Sequence, residues 1–398
     1  MALSRRARFA VGYASAGHFL CHGAMILLPL LKGDVAAELT AGDVVKVSTA
    51  SALYLVMMGV AAVPAGLLAD RIGTARMLLI YFGAMAGAAL LCALSTGFGT
   101  FVFAHALLGA AAGLYHPPGL GLISLSTGRD EMGPALGMHG VIGNIGVASS
   151  PLLVMTVLPE FGWRGAFFAL ALTAALAGLA GAWLIRRGHV MPGIPAESQP
   201  AADGRLARRG LVLLLVVMSV NGFLANGFTW QFPETVRQHG ALIWDVMVVN
   251  TAILGLGAIG QYVGGLMARG KGQRGRYLML LMLQPVTFLG TALLLDMPTI
   301  ALLQLAAFAF VNYMSQPIEN RILAGFTSTA RRSAAFALKF MVALIIAAPA
   351  PWIVARIVRT SGEAAGYGFL CAVGTVGLLA GVFFVRSLRP PAAAIAKD

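Results

Sequence analysis

Apolar residues fill the chain in long continuous blocks of about 20 residues, divided by short polar breaks. A helix of that length crosses the ~30 Å hydrocarbon core of a bilayer. In lipid every backbone N–H and C=O needs a partner inside the protein, which leaves helices and closed barrels as spanning structures. The blocks are unbroken apolar runs, not the ~10-residue alternating segments of a barrel. They predict an all-α membrane protein. Six spans are expected near 9–31, 47–69, 75–95, 98–123, 133–157 and 163–185. Six more are expected near 210–231, 246–268, 276–295, 299–321, 333–355 and 366–387.

Of the polar breaks only the stretch 186–209 is long, and it carries Pro192, Pro195, Pro200 and several arginines. It divides the chain into an N-terminal six-helix bundle (1–188), a linker (189–209) and a C-terminal six-helix bundle (210–398). The halves repeat one another. Gly66-Leu67-Leu68-Ala69 returns as Gly265-Leu266-Met267-Ala268, and His116-Pro117 as Gln316-Pro317. Ser126-Thr127-Gly128-Arg129 parallels Ser328-Thr329-Ala330-Arg331, and Ala135-Leu136 parallels Ala337-Leu338. All four matches share one register of about 200 residues, half the chain, so the bundles are expected to be pseudo-symmetric. Parallel repeats of this kind place a substrate site at the midplane between them.

Composition agrees with lipid as the solvent: 59% of the 398 residues are hydrophobic and 11% charged. The net charge of +13 does not signal nucleic acid, because the basic residues concentrate in alternate breaks. Arg5, Arg6 and Arg8, Arg71 and Arg76, Arg129, 186–209, Arg269 to Arg276, Arg331 and Arg332, and Arg386 and Arg389 share one side. The other side holds fewer, among them Lys32, Lys46, Arg164 and Arg237. Positive loops stay inside, which predicts cytoplasmic termini in a bacterial inner membrane. Cys21, Cys92 and Cys371 fall within apolar spans at no metal-ligand spacing and predict no disulfide. The basic start without a cleavage site predicts a retained first helix.

The densest local pattern lies between spans 2 and 3: Gly66-Leu67-Leu68-Ala69-Asp70-Arg71-Ile72-Gly73-Thr74-Ala75-Arg76. Gly66 permits close packing, Gly73 a tight turn, and Asp70, Arg71 and Arg76 form a charge cluster able to latch one of two states. This stretch resembles the G-x-x-x-D-R-x-G-x-x-R signature of the major facilitator superfamily, at the loop where that family carries it. With the span count, linker and half repeat, the resemblance covers nearly the whole chain. It implies alternating access in a functional monomer. The second-half counterpart, Ala268-Arg269-Gly270-Lys271-Gly272, lacks the aspartate. His105-Ala106-Leu107-Leu108-Gly109 replaces the R-x-x-x-G element common in span 4, and span 5 lacks the Gly-Pro pair of many drug antiporters. Tyr115-His116-Pro117 and His139-Gly140 are similar to a bacterial subgroup that includes fosmidomycin-resistance-type exporters.

Polar residues at membrane depth are costly and point to function. First-half spans carry His18, His22, His105, His116 and His139 and no carboxylate. His18 and His22 share a face with Met25, and His139 shares one with Gly143, Gly146 and Ser150. Second-half candidates are Asn226, Gln316, Glu319 and Lys339, with Glu319 and Lys339 placed to pair. Imidazole exchanges protons near neutral pH, so histidines can couple transport to a proton gradient. The favoured reading is a proton-coupled secondary transporter of a small neutral or anionic organic solute, with no cofactor and no nucleic-acid partner. The alternative is a copper-like transition-metal transporter using His and Met ligands. A membrane enzyme would need a clustered catalytic group or a large loop, and neither is present.

Overall fold

The computed structural model describes residues 3–191, 205–239, 245–269, 272–326 and 332–387, and every element among them is helical. The first half holds α1 (Arg5–Leu39), α2 (Val44–Ile72), α3 (Thr74–Leu94), α4 (Phe98–Gly113), α5 (His116–Ser126) and α6 (Arg129–Arg186). The second holds α7 (Arg205–His239), α8 (Val246–Met267), α9 (Gln273–Leu293), α10 (Pro298–Gly325), α11 (Arg332–Ala347), α12 (Ala350–Ser361) and α13 (Glu363–Ser387). Most of the expected linker (192–204), Gly270-Lys271 and Ser328 to Arg331 lie outside the described residues.

Eleven helical stretches are long and apolar enough to cross a membrane. One of them lies within α6, whose 58 residues would span about 87 Å if straight, nearly three bilayer cores. It breaks at Gly162, whose φ of 59° suits a residue without Cβ. The first limb runs alongside α1 in the same direction, Gly146 against Phe19 and Ser150 against Gly23. The second runs back, with Trp163 bonded to Glu38 and Gly181 against Tyr13. The limbs are two crossings, which brings the count among the described residues to twelve.

Two expected continuous spans are broken. The fourth (98–123) divides at Leu114 and Tyr115, because Pro117 and Pro118 lack the N–H groups needed to continue α4 and instead begin α5. At the repeat position a single Pro317 is carried inside the continuous α10. The eleventh (333–355) divides between Ala347 and Ala350, where Pro349 and Pro351 stand. Gly73, at φ 94°, makes the expected turn between α2 and α3.

Large apolar side chains such as Leu67, Phe103, Leu172, Leu179, Leu303 and Phe383 stand exposed on the outside, where a bilayer replaces water. Inside, helices meet through glycine. A Cβ on Gly146 would strike the Phe19 backbone, on Gly109 that of Tyr54, and on Gly113 that of Met58. In the second half Gly260 meets the backbone of Phe310, and Gly264 that of Met314. Small residues substitute for hydrophobic drive between helices in lipid, because they let backbones approach. The pairs α2–α4 and α8–α10 are thus packed by the same device in the two six-helix bundles.

The bundles touch through α2 against α11 and α12, α6 against α8, α5 against α11, and α1 against α7. Near the far face, remote from the start of α1 and the end of α13, Arg359 lies 3.2 Å from Asp43. At the same end the Lys32 ammonium donates to the Trp230 carbonyl and sits 4.9 Å from the indole centroid.

Candidate functional site: a histidine cluster facing a lysine–glutamate pair

Four of the five histidines meet. His18 and His22 come from successive turns of α1, with ring centroids 4.5 Å apart. His116 stands at the first position of α5, where the proline break turns it inward, 5.5 Å from each of them. His139, from the first limb of α6, stacks on His18 at 4.2 Å and 11°. Gly143, one turn on, leaves the space that the His18 ring fills. His18, His116 and His139 are buried, and His22 is partly exposed.

The hydrogen bonds fix tautomers. His18 Nδ1 lies 2.8 Å from the His139 carbonyl, which can only accept, so Nδ1 carries a proton. In the neutral ring Nε2 then holds a free lone pair. Tyr115 spends its single proton on the Ala14 carbonyl at 2.6 Å. Its oxygen, 3.3 Å from His139 Nε2, therefore accepts from that nitrogen. His139 Nδ1 is left to accept from Ser15 Oγ at 3.5 Å. The path Ser15, His139, Tyr115, Ala14 is ordered in one sense, with His18 hung on the His139 backbone.

Across the bundle boundary, Phe340 of α11 stacks on His116 at 4.4 Å and 14°. Lys339, its neighbour, donates to Asn320 Oδ1 at 2.5 Å and lies 3.8 Å from Glu319. Glu319 and Lys339 are buried, and they form the pair that their common depth in α10 and α11 led us to expect. The remaining expected residues do not join this group. His105 donates from Nδ1 to the Ala50 carbonyl at 3.1 Å and packs between Tyr54 and Phe101. Asn226 is half-buried and bonds the Gly222 carbonyl of its own helix at 2.8 Å. Gln316 is half-buried without a polar partner among the described residues. Asp70, Arg71 and Arg76 are exposed and likewise unpaired among the described residues, while Gly66 packs near Pro117.

One residue was misplaced by sequence reasoning. Lys32 reads as a loop residue, yet α1 continues to Leu39 and buries it against Trp230. Its signal was present: the helix-forming run after Leu31 contains no breaker before Gly42 other than Gly33.

Imidazole suits both protons and transition metals. One ligand atom from each of His18, His22 and His116 lies within 4.8 Å of the others. Tetrahedral coordination at about 2.0–2.1 Å needs nitrogens about 3.4 Å apart, inside the 4.8 Å that bounds the trio. Cys21 Sγ is 3.9 Å from His116 Nε2, and Met25 is half-buried on the same helix.

The sequence model of the Major Facilitator Superfamily matches residues 14–351, most of the chain. The chain belongs to that family. It is similar to an uncharacterized MFS-type transporter, Rv1250, of Mycobacterium tuberculosis, 29% identical over 241 residues, which are 60% of this chain and 38% of the relative. It is also similar to the fosmidomycin resistance protein of Escherichia coli, 25% identical over 180 residues, 44% of each chain. The matched stretches thus span less than half the length of these relatives. The fold is shared with the human organic anion transporter MFSD10 (TETRAN), with TM-score 0.71, 15% identity, and coverage of 94% of this chain and 99% of that one.

Proposed function

We propose that this protein is a secondary active transporter of the bacterial inner membrane, with cytoplasmic termini. It carries a small neutral or anionic organic solute by alternating access as a monomer, coupled to protons. The observation that carries the reading is the meeting of His18, His22, His116 and His139 with Phe340, Lys339 and Glu319 at the boundary between the two bundles. Groups at that boundary change surroundings whenever the bundles rock, so their protonation is tied to the conformation.

The ordered tautomers of His139 and His18 supply a path along which one proton uptake reverses several hydrogen bonds. Lys339 offers a cation to an anionic solute, while among the described residues no carboxylate side chain bonds His18, His22, His116 or His139. Gly66, Asp70, Arg71, Gly73 and Arg76 are assigned to a latch that engages in the alternate state. Uptake and counterflow in proteoliposomes under an imposed pH gradient test this reading. Flux is expected to follow the gradient and to lose that dependence when His18 or His139 is replaced. Gradient-independent flux sinks the proton coupling.

A second reading, transport of a transition-metal ion, rests on the clustering of His18, His22 and His116. Calorimetry with copper, nickel and zinc separates it from the first. Absence of binding by all three removes it.

A further inference from the structure

The stack of Phe340 on His116 is made by rings from opposite bundles, on α11 and α5. Rocking of the bundles must part it, and parting bares two nearly parallel aromatic faces at one depth. Widening by about 3.5 Å, the thickness of one ring in van der Waals contact, turns the closed stack into a slot for a third planar ring. The slot has a cation at its edge. Lys339 Nζ is 5.7 Å from the centroid of Phe340, the ring that stacks on His116.

The hydrogen bond from Lys339 to Asn320 is short, whereas its distance to Glu319 is 3.8 Å. The carboxylate is therefore the looser partner, and an incoming anion can take its place beside the ammonium. His22, the partly exposed member of the cluster, is 5.5 Å from His116 and adds a donor on the first-half side. An aliphatic solute of the same charge would use Lys339 but leave two π-faces without a matching partner.

We propose that His116 and Phe340 form a solute subsite that takes a planar aromatic or heteroaromatic anion, its ring between theirs and its acidic group on Lys339. This rests on the transport reading above and narrows its solute class. In the closed state the two rings occupy each other's binding faces. Solute insertion and bundle closure are then mutually exclusive at this level, which gives the solute a differential affinity for the two states.

The test is binding to the purified full chain at pH 8, by calorimetry, of three carboxylates of equal charge: benzoate, 1-naphthoate and cyclohexanecarboxylate. The aromatic pair is expected to bind about fivefold or more tighter than the alicyclic acid, within the range that aromatic pairing supplies. Phe340→Leu keeps an apolar side chain and is expected to abolish that preference by weakening the two aromatic acids more than cyclohexanecarboxylate. Phe340→Trp is expected to keep the preference.

Equal affinity for the two classes in the wild type overturns the proposal. So does a Phe340→Leu loss shared equally by both classes, which marks a merely structural ring. Failure of all three acids to bind, with gradient-driven flux of some other solute, overturns this subsite and leaves the transport reading intact. Absence of flux for every solute tried strikes the transport reading itself.

Discussion

Gly146→Ala puts a methyl group where α1 and the first limb of α6 touch backbone to backbone. The added Cβ meets the carbonyl and Cα of Phe19, atoms that no rotamer change can move aside. Relief requires the helices to part by an amount on the order of 1 Å, which forfeits a quarter to a half of each dispersion contact along the seam. Overpacking of this kind costs about 1–3 kcal/mol. The same displacement stretches the 2.8 Å bond from His18 to the His139 carbonyl beyond useful range, at a further cost of about 0.5–1.5 kcal/mol. Alanine's better helix propensity returns up to about 1 kcal/mol. The expected net destabilisation is about 2 kcal/mol, with loss of proton-driven flux because His18 has lost its anchor. Gly83→Ala is the control, since the space around that glycine is open and only the propensity gain remains. Thermal unfolding of both variants in detergent, followed by flux in proteoliposomes, measures the difference. If Gly146→Ala is as stable as Gly83→Ala and couples normally, the seam does not hold the cluster and the reasoning is refuted.

Glu319→Gln is expected to destabilise the protein by about 3–5 kcal/mol, because it leaves the buried Lys339 ammonium without a counter-charge. Adding Lys339→Met should recover part of that loss in a double-mutant cycle, and a strictly additive cycle would contradict the pairing. His105→Gln should cost stability through the lost Ala50 bond while pH-driven flux persists, whereas His18→Gln should uncouple flux; equal uncoupling by both would put His105 back in the group. Arg359→Ala is expected to change stability by less than about 1 kcal/mol, since the pair with Asp43 is half-exposed. Lys32→Met should lengthen the far-face distance between spin labels on α1 and α7, and an unchanged distance would show that the Trp230 contact does not hold that face closed.

Crossing number, helical class and the half repeat were legible because lipid imposes length and apolarity on every span. The pairing of Glu319 with Lys339 was also within reach, since both lie a few residues from the same end of neighbouring spans. What sequence could not supply was helix adjacency. His105 and His116 lie on one stripe of the fourth span, yet the break at Leu114 and Tyr115 turns His116 toward α1 and leaves His105 facing α2. His139 meets His18 only because Gly143 and Gly146 let two helices close to backbone contact, a distance that periodicity does not encode. Phe340 carried no polar signal at all, and its role follows from a neighbour on the other bundle.

The glycine-to-backbone seams have a mechanical consequence. A joint in which carbonyl meets Cα has almost no compliance, because neither side holds a rotatable group to absorb strain. Gly146 on Phe19, Gly109 on Tyr54 and Gly260 on Phe310 therefore weld their helices into stiff plates. Elastic energy delivered to the molecule must collect at the softer contacts, where ring slides on ring at His116 and Phe340 and a lysine reaches a carbonyl at Trp230. Those are the places where a small change in one side chain should alter the turnover frequency most while leaving the unfolding temperature nearly untouched.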